Sequence, residues 1–320
     1  MPIVPSEYNP PFLFKNGHIS TIYHGLFRKV DGLVQQRERL SLSDGDFLDL
    51  DWSFAEKQTR KVAILLHGLE GDARRPYIAG VAKLFICAGL DACAVNYRGC
   101  SGETNRLFRS YHSGATEDLA AVVEHILETK KYDKIYLTGF SLGGNMALKY
   151  LGEERSIPKE IGGAVGISVP CDLYDSLKQL SQPINFPYAL RFRKKLVSKL
   201  KAKQMLFPQL ISDSDIEKIR TLKDFDDIYT SRAHGFMNAL DYYRKCSCKQ
   251  FLPRIDRPVL ILNAQNDSFL GQECYPKKET RENPNLYLEI PSFGGHVGYH
   301  GPKNITYAEK KALKFLQELN

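Results

Sequence analysis

The sequence lacks the features that mark membrane-spanning and secreted proteins. No apolar run approaches the roughly 20 residues that a membrane-spanning helix needs. Residues 1–5 are interrupted by prolines and have no apolar core of the kind found in secretory signal peptides. The composition is otherwise ordinary, with 43% hydrophobic and 25% charged residues. We therefore expect a globular protein of the cytoplasm.

Disulfide and metal-binding patterns are also missing. The seven cysteines are odd in number and scattered. Several, such as Cys87 and Cys93, are flanked by apolar residues, which indicates buried, reduced thiols rather than a disulfide framework. Cys246 and Cys248 form a C-x-C pair, but no second cluster with metal-ligand spacing accompanies it. We therefore assign no metal and no cofactor.

The most informative stretch is an apolar, strand-like run that ends in G-F-S-L-G at residues 139–143 and continues with helical spacing of apolar residues. G-x-S-x-G between a strand and a helix is the pattern of a nucleophile elbow. The turn is so tight that its flanking positions require glycine, and the serine is held exposed on a strained backbone. Ser141 is therefore the candidate nucleophile.

Two possible partners follow Ser141 in chain order. An apolar run at 259–264 predicts a buried parallel strand, and Asp267 comes shortly after it. A last strand is predicted at 286–290, and His296 lies in the glycine-rich loop behind it. In isolation Asp267 could be a turn residue and His296 incidental. Their order and their places at the carboxyl edge of the sheet favour a Ser-Asp-His catalytic triad.

An oxyanion hole is predicted from H-G-L-E-G at residues 67–71, which follows an apolar strand at 62–66. A flexible backbone at this place can direct an N–H group at a developing alkoxide. We assign the two donors to the backbone N–H groups of Leu69 and of Leu142, the residue after the nucleophile. His67 itself is expected to be a buried structural residue.

Together these motifs resemble the α/β-hydrolase superfamily, and within it the YheT-type hydrolases, which are related to the eukaryotic ABHD proteins. The resemblance covers nearly the whole chain and includes PFLFKNGHISTI at 11–22, NYRGCSG at 96–102 and YHSGATED at 111–118. It implies an α/β-hydrolase fold, with a mostly parallel sheet flanked by helices and a helical cap insertion. It also implies a carboxylic-ester hydrolase in which Ser141, Asp267 and His296 form the charge relay.

The order of predicted elements supports an α/β fold. Alternating strands and helices specify a parallel sheet with right-handed connections, and the pattern at 47–52 predicts an antiparallel hairpin at one edge. A helix is predicted at 116–128 with Thr116 as its N-cap. The alternation stops between residues 171 and 251, where helix is favoured. We predict a single domain with a core at 1–170 and 252–320 and a helical cap at about 171–251.

A basic helix is predicted within the cap at residues 188–203, and it contributes much of the net charge of +7. Its apolar residues Leu196, Val197 and Leu200 share one face. The basic remainder could contact an anionic membrane surface. We favour the alternative of a solvated face on a cap helix. No nucleic-acid partner is expected, since no RNA- or DNA-binding module is recognisable.

The predicted function is hydrolysis of small-molecule carboxylic esters by a serine esterase. Apolar cap residues favour a pocket for a short to medium acyl chain or a lipid-like ester, the candidates being Phe186, Tyr188, Phe192, Leu206 and Phe207. A thioesterase or peptidase with the same triad, and a non-catalytic ligand-binding scaffold, remain as alternatives. The natural acyl and alcohol groups and the oligomeric state are left open.

Overall fold

A computed structural model describes residues 3–319 and contains one nine-stranded sheet. The buried strands are apolar over almost their whole length because both faces of a parallel sheet are covered. The strands are β1 (Ile3–Val4), β2 (Gln36–Ser41), β3 (Phe47–Ser53), β4 (Lys61–Leu66), β5 (Asp91–Asn96), β6 (Lys134–Phe140), β7 (Ile161–Ile167), β8 (Val259–Leu262) and β9 (Leu286–Glu289).

The strand order is β1-β9-β8-β7-β6-β4-β5-β3-β2. Within residues 3–319, β3 is the only strand that runs against the others, and it forms the expected antiparallel hairpin with β2 at one edge. The short β1, which the sequence did not predict, adds to β9 at the opposite edge. The mostly parallel α/β sheet expected from the sequence is therefore confirmed.

Helices cover both faces of the sheet and each face has its own apolar core. Leu119 and Met146 belong to one core, and Phe85 and Leu316 belong to the other. The helices outside the predicted cap are α1 (Gly17–Ile22), α2 (Pro76–Cys87), α3 (Thr116–Thr129), α4 (Leu142–Gly152), α11 (Lys277–Glu282) and α12 (Tyr307–Glu318).

The segment between β7 and β8 is helical and contains no strand among the described residues. Two small apolar clusters hold it together, one around Tyr242 and the other around Leu200. The division into a core and a cap stays a prediction. The helices of this segment are α5 (Leu173–Leu180), α6 (Phe186–Leu206), α7 (Asp213–Lys218), α8 (Leu222–Phe225), α9 (Ser231–His234) and α10 (Ala239–Cys246).

Some expected local features differ from the structure. Ala115, not Thr116, is the N-cap of α3. Thr116 is the first helical residue, and its hydroxyl donates to Glu153 Oε2 at 2.7 Å instead of capping the helix. Helix α4 begins at Leu142, four residues earlier than the apolar spacing from Met146 indicated. The tight elbow places the chain directly in helical geometry, which apolar periodicity alone could not show.

Some of the basic side chains of helix α6 contact other parts of the protein instead of facing solvent. Lys203 is buried and donates to the carbonyl oxygens of Asn105 (2.8 Å) and Leu107. Lys199 reaches the Glu70 carboxylate. Over residues 3–319, no helix is long and apolar enough to span a bilayer. Part of the positive charge of α6 therefore anchors it to the α/β layers, and its contact with membranes stays a prediction.

Candidate active site

The turn after β6 has the backbone geometry of a nucleophile elbow. Ser141 has φ 53° and ψ −120°, a strained conformation for a residue with a side chain. A Cβ atom at Gly143 would lie 2.3 Å from the Leu66 carbonyl oxygen, and one at Gly139 would lie 2.3 Å from the Gly143 carbonyl oxygen. Glycine is therefore required on both sides of Ser141, as the pattern predicted.

The structure brings Ser141, His296 and Asp267 into one hydrogen-bonded chain. Nε2 of His296 lies 2.9 Å from the Ser141 Oγ, and Nδ1 lies 2.8 Å from Asp267 Oδ2. The Asp267 side chain is buried, and its second oxygen accepts the N–H of Phe269 at 3.0 Å. These contacts leave Nδ1 of the imidazole as the donor to the carboxylate and Nε2 as the acceptor from the hydroxyl. The arrangement can deprotonate the serine.

The loop that carries His296 is held by residues that the sequence analysis did not assign. Thr21 Oγ1 accepts the His296 N–H at 2.8 Å, and Asn266 Oδ1 accepts the Gly295 N–H at 2.9 Å. The Phe269 ring stacks on the imidazole with centroids 4.3 Å apart. The family-like segment at 11–22 contains Thr21, so the resemblance was the only available signal for this support.

The loop after β4 approaches the elbow closely. A Cβ atom at Gly68 would lie 3.1 Å from the Ser141 Cβ. Tyr77 Oη accepts the Gly68 N–H at 3.1 Å, and Tyr111 Oη accepts the Glu70 N–H at 2.9 Å. The Leu69 N–H between them has no acceptor in the described part of the chain.

The second expected donor is the first residue of α4. The first N–H groups of a helix have no intrahelical acceptor, so the N–H of Leu142 is available to a ligand. Leu69 and Leu142 both line the cavity at Ser141. Their places fit the assigned oxyanion donors, and that role stays a prediction.

His67 does not line the cavity. Its Nδ1 lies 2.8 Å from the Gly68 carbonyl oxygen, and its ring packs against Tyr97 with centroids 4.0 Å apart. Burial lowers the pKa of His67 to about 3, which keeps the imidazole neutral. These contacts fix the start of the loop, in agreement with the structural role expected for His67.

Glu70 is a feature of the site that the sequence analysis missed. Its side chain is buried beside the cavity, and its Oε1 accepts from Tyr111 Oη at 2.8 Å and from Lys199 Nζ at 3.0 Å. Its φ is 53°. Lys195 Nζ donates to the Glu70 carbonyl oxygen at 3.2 Å. Helix α6 is thus tied at two points to the loop that contains Leu69. The position of Glu70 inside H-G-x-x-G was visible, but its partners were not.

Ser141 opens into an apolar cavity of about 160 Å³ beneath the helices that follow β7. Of the residues expected to form an acyl pocket, Phe192 lines this cavity. Phe186 and Leu206 are exposed, and Phe207 lies outside the lining, so their assignment is wrong. The apolar walls come instead from residues of both small clusters and from the loop after β8, including Leu173, Leu177, Leu196, Leu200, Phe225 and Phe269.

A second cavity, of about 120 Å³, reaches Ser141 and His296 from the side of α1 and α2. Tyr188, another of the expected pocket residues, lines this one. Its rim also contains cationic side chains from α6 and from the loop before α2. Ser141 therefore borders two cavities, and both are lined mainly by apolar groups.

No group of three or more His, Cys, Asp or Glu side chains suited to a metal ion occurs between residues 3 and 319. Cys87, which the sequence analysis expected to be buried, is exposed, whereas Cys171, Cys248 and Cys274 are buried. Cys171 and Cys248 lie near the start and the end of the helical segment between β7 and β8, and Cys274 follows β8. Burial raises the pKa of the Cys171 and Cys274 thiols well above the usual range, so they stay protonated.

Comparisons with known proteins place this geometry in context. The family model described as "alpha/beta hydrolase fold" matches residues 62–300. The chain is 34% identical over 305 residues to YheT of Escherichia coli (strain K12), a proposed esterase by its name, covering 92% of this chain and 88% of that protein. It is 28% identical over 331 residues to phospholipase ABHD3 of Mus musculus, covering 99% and 80% of the two chains.

A solved structure shows the same fold. The esterase Pf2001 of Pyrococcus furiosus superimposes with a TM-score of 0.59 at 17% identity, covering 91% of this chain and 98% of that one. At this identity the likeness concerns the fold alone. The expected resemblance to YheT-type and ABHD proteins is confirmed by the sequence comparisons.

Proposed function

Because the chain belongs to the α/β-hydrolase family, we propose that it is a serine hydrolase of carboxylic esters. Relatives include proteins named as esterases and lipases, which support a hydrolase. The observation that carries the proposal is the unbroken chain from Ser141 Oγ through both ring nitrogens of His296 to Asp267. A non-catalytic binding scaffold has no need of such a chain.

In the proposed reaction, Ser141 Oγ attacks the acyl carbonyl carbon while His296 Nε2 takes the hydroxyl proton. Asp267 holds the imidazole tautomer and stabilises the imidazolium. The N–H groups of Leu69 and Leu142 stabilise the negative oxygen of the tetrahedral intermediate. The imidazolium then gives its proton to the leaving alcohol, and an acyl-enzyme remains. Water, deprotonated by His296, attacks the acyl-enzyme and releases the acid.

The apolar cavity supports a substrate with an acyl chain. Burial of each methylene contributes about 0.8 kcal/mol, so a chain that follows the cavity gains affinity with length. We propose a short- to medium-chain or lipid-like ester. The cytoplasmic location expected from the sequence stays a prediction.

A Ser141→Ala variant tests the nucleophile. It should lose labelling by a fluorophosphonate probe and at least about 10³-fold in kcat/KM for p-nitrophenyl octanoate, because no nucleophile remains. Its melting temperature should stay close to that of the wild type. Labelling of the variant at the wild-type rate would refute the assignment. Acyl series of oxygen esters, thioesters and aminoacyl amides, run on the wild type, compare the esterase with the thioesterase and peptidase alternatives.

A further inference from the structure

Three cationic side chains line the second cavity at Ser141. Arg75 comes from the loop before α2, and Arg191 and Lys195 are one turn apart on α6. Ser141 and His296 belong to the same cavity. Two separate elements therefore bring positive charge to a space that contains the candidate nucleophile.

These three charges have no carboxylate partner among residues 3–319. Arg75 Nη2 donates to the Gly25 carbonyl oxygen at 3.3 Å, and Lys195 Nζ donates to the Glu70 carbonyl oxygen at 3.2 Å. Arg191 forms no hydrogen bond or ion pair there. The carboxylate of Glu70 is already bound by Lys199 and Tyr111. Glu70 also lines this cavity and attracts Lys195, but its single negative charge is shared with Lys199, so the cavity keeps an excess of positive charge within the described chain.

The three cations lie close enough together to affect one another. Burial and the nearby Arg75 charge lower the pKa of Arg191, and the same two causes lead the lowering of the pKa of Lys195. Like charges this close repel one another. An anion bound among them would relieve the repulsion and would accept several charge-assisted hydrogen bonds.

The first cavity, on the opposite side of Ser141, has Leu177, Leu200 and Phe225 among its walls. The cations that also line it are already bound: Arg98 pairs with Asp118, Lys199 pairs with Glu70, and Lys203 donates to backbone carbonyl oxygens. An ester bound across Ser141 would place its two ends in these two different environments. We propose that Arg75, Arg191 and Lys195 form a subsite for an anionic group, a phosphate or a carboxylate, on the alcohol portion of the ester. The acyl chain occupies the apolar cavity. The inference rests on the proposed function, since it names the substrate class of that same site.

A kinetic experiment measures the selectivity of this subsite. The substrates are octanoyl esters of 4-hydroxyphenyl phosphate, of 4-hydroxybenzoate and of the neutral 4-hydroxybenzamide. The ratio of kcat/KM for each anionic ester to that for the neutral one should fall at least about tenfold in Arg191→Met. It should fall about 100-fold in the double variant Arg75→Met/Arg191→Met, because each lost charge-assisted hydrogen bond costs one to two powers of ten. The larger of the two losses identifies phosphate or carboxylate as the preferred anion.

Lys194→Met is the matched control. It removes the same charge from α6, but Lys194 lines a shallow surface hollow with Lys201 instead of either cavity at Ser141. The ratios should stay at the wild-type value in this variant. Equal ratios in the wild type and in the double variant, or an equal fall in Lys194→Met, would overturn the subsite.

A binding measurement separates the subsite from the proposed function. Calorimetric titration with octyl phosphate should give at least a tenfold weaker Kd in the double variant than in the wild type and Lys194→Met. An unchanged Kd in the double variant would overturn the subsite even if all esters are cleaved. If no ester is cleaved and no fluorophosphonate labelling occurs, while the Kd shifts as expected, the proposed function fails and the anion subsite stands.

Discussion

Lys199→Met should loosen the loop that carries one of the proposed oxyanion donors. Lys199 Nζ lies 3.0 Å from Glu70 Oε1, and Glu70 directly follows Leu69. Methionine keeps an unbranched apolar stem as far as the ε position and lacks the ammonium group. Glu70 would then be a buried carboxylate whose remaining side-chain partner is the Tyr111 hydroxyl.

The expected loss of stability depends on how much of the Lys199–Glu70 ion pair is exposed to solvent. An ion pair at this separation is worth about 4 kcal/mol or more at an effective dielectric constant of about 20, before desolvation is subtracted. The Glu70 side chain is only 2% exposed, but that of Lys199 is 40% exposed, so water screens much of the attraction. We expect the free energy of unfolding to fall by about 1–2 kcal/mol. A double-mutant cycle with Glu70→Gln should give a coupling energy of about the same size.

The catalytic effect should be distinct from the stability effect. Loss of one oxyanion donor costs about 10²–10³ in kcat, and a displaced donor should cost less, about tenfold to 100-fold. KM should change little because the donor acts mainly in the transition state. Urea unfolding and steady-state kinetics with p-nitrophenyl octanoate provide the two measurements.

Lys201→Met is the control for this prediction, since Lys201 is exposed on the same helix and lies away from Glu70. Its unfolding free energy should stay within about 0.5 kcal/mol of the wild-type value. If Lys199→Met and Lys201→Met have the same stability and the same kcat, the ion pair does not hold the loop and the reasoning is refuted.

Three further predictions concern the elbow, the carboxylate and acid stability. Gly143→Ala should lower the free energy of unfolding by at least about 3 kcal/mol or prevent folding, because its Cβ would lie 2.3 Å from the Leu66 carbonyl oxygen. Gly25→Ala is the control, since a Cβ there has nothing within 4 Å, and it should melt at the wild-type temperature. A Gly143→Ala protein as stable as the wild type would contradict the packing argument. Asp267→Asn should lower kcat about 10³–10⁴-fold with an unchanged melting temperature, because the amide favours the imidazole tautomer in which Nε2 carries the proton and cannot accept one from Ser141. Turnover at the wild-type rate would exclude the proposed role of Asp267. Burial lowers the pKa of His24 to about 4 in the folded protein. As the pH falls below about 6.5, His24 is therefore protonated in the unfolded chain but not in the folded one, and the free energy of unfolding should fall by about 2 kcal/mol between pH 7 and pH 5. In His24→Gln, urea unfolding at pH 7 and pH 5 should show a correspondingly smaller loss, and an equal loss would show that His24 is not buried in its neutral form.

Much of the fold was predictable because its signals are local. The parallel strands β4 to β8 are continuous apolar runs between turn residues, and their carboxyl ends carry the motifs. Helix boundaries were less certain, as the N-cap at Ala115 and the early start of α4 show. The strand β1 has only two residues, Ile3–Val4, and gains its identity solely from pairing with β9. Such a short segment contains no periodicity to detect.

Which aromatic residues of α6 line the cavity could not be predicted from the composition of the helix. Phe186 and Phe192 lie on the same helix and are both aromatic, yet one is 62% exposed and the other lines the cavity. Which face of α6 turns inward is decided by its packing against the α/β layers. The inward lysines Lys199 and Lys203 follow from the same orientation. Polar partners supplied by distant loops make their burial possible.

The sequence by itself determined the α/β class and the order of the candidate residues Ser141, Asp267 and His296, because these depend on strand periodicity and on turn chemistry within a few residues. Only the tertiary structure decided that the three side chains are joined by contacts of 2.8 and 2.9 Å and that Thr21 supports the histidine loop. It also decided that Arg75, Arg191 and Lys195 come together in one cavity beside the serine. These contacts join residues far apart in the chain. Their geometry depends on how the sheet, the N-terminal segment and α6 pack together, and no local pattern encodes it.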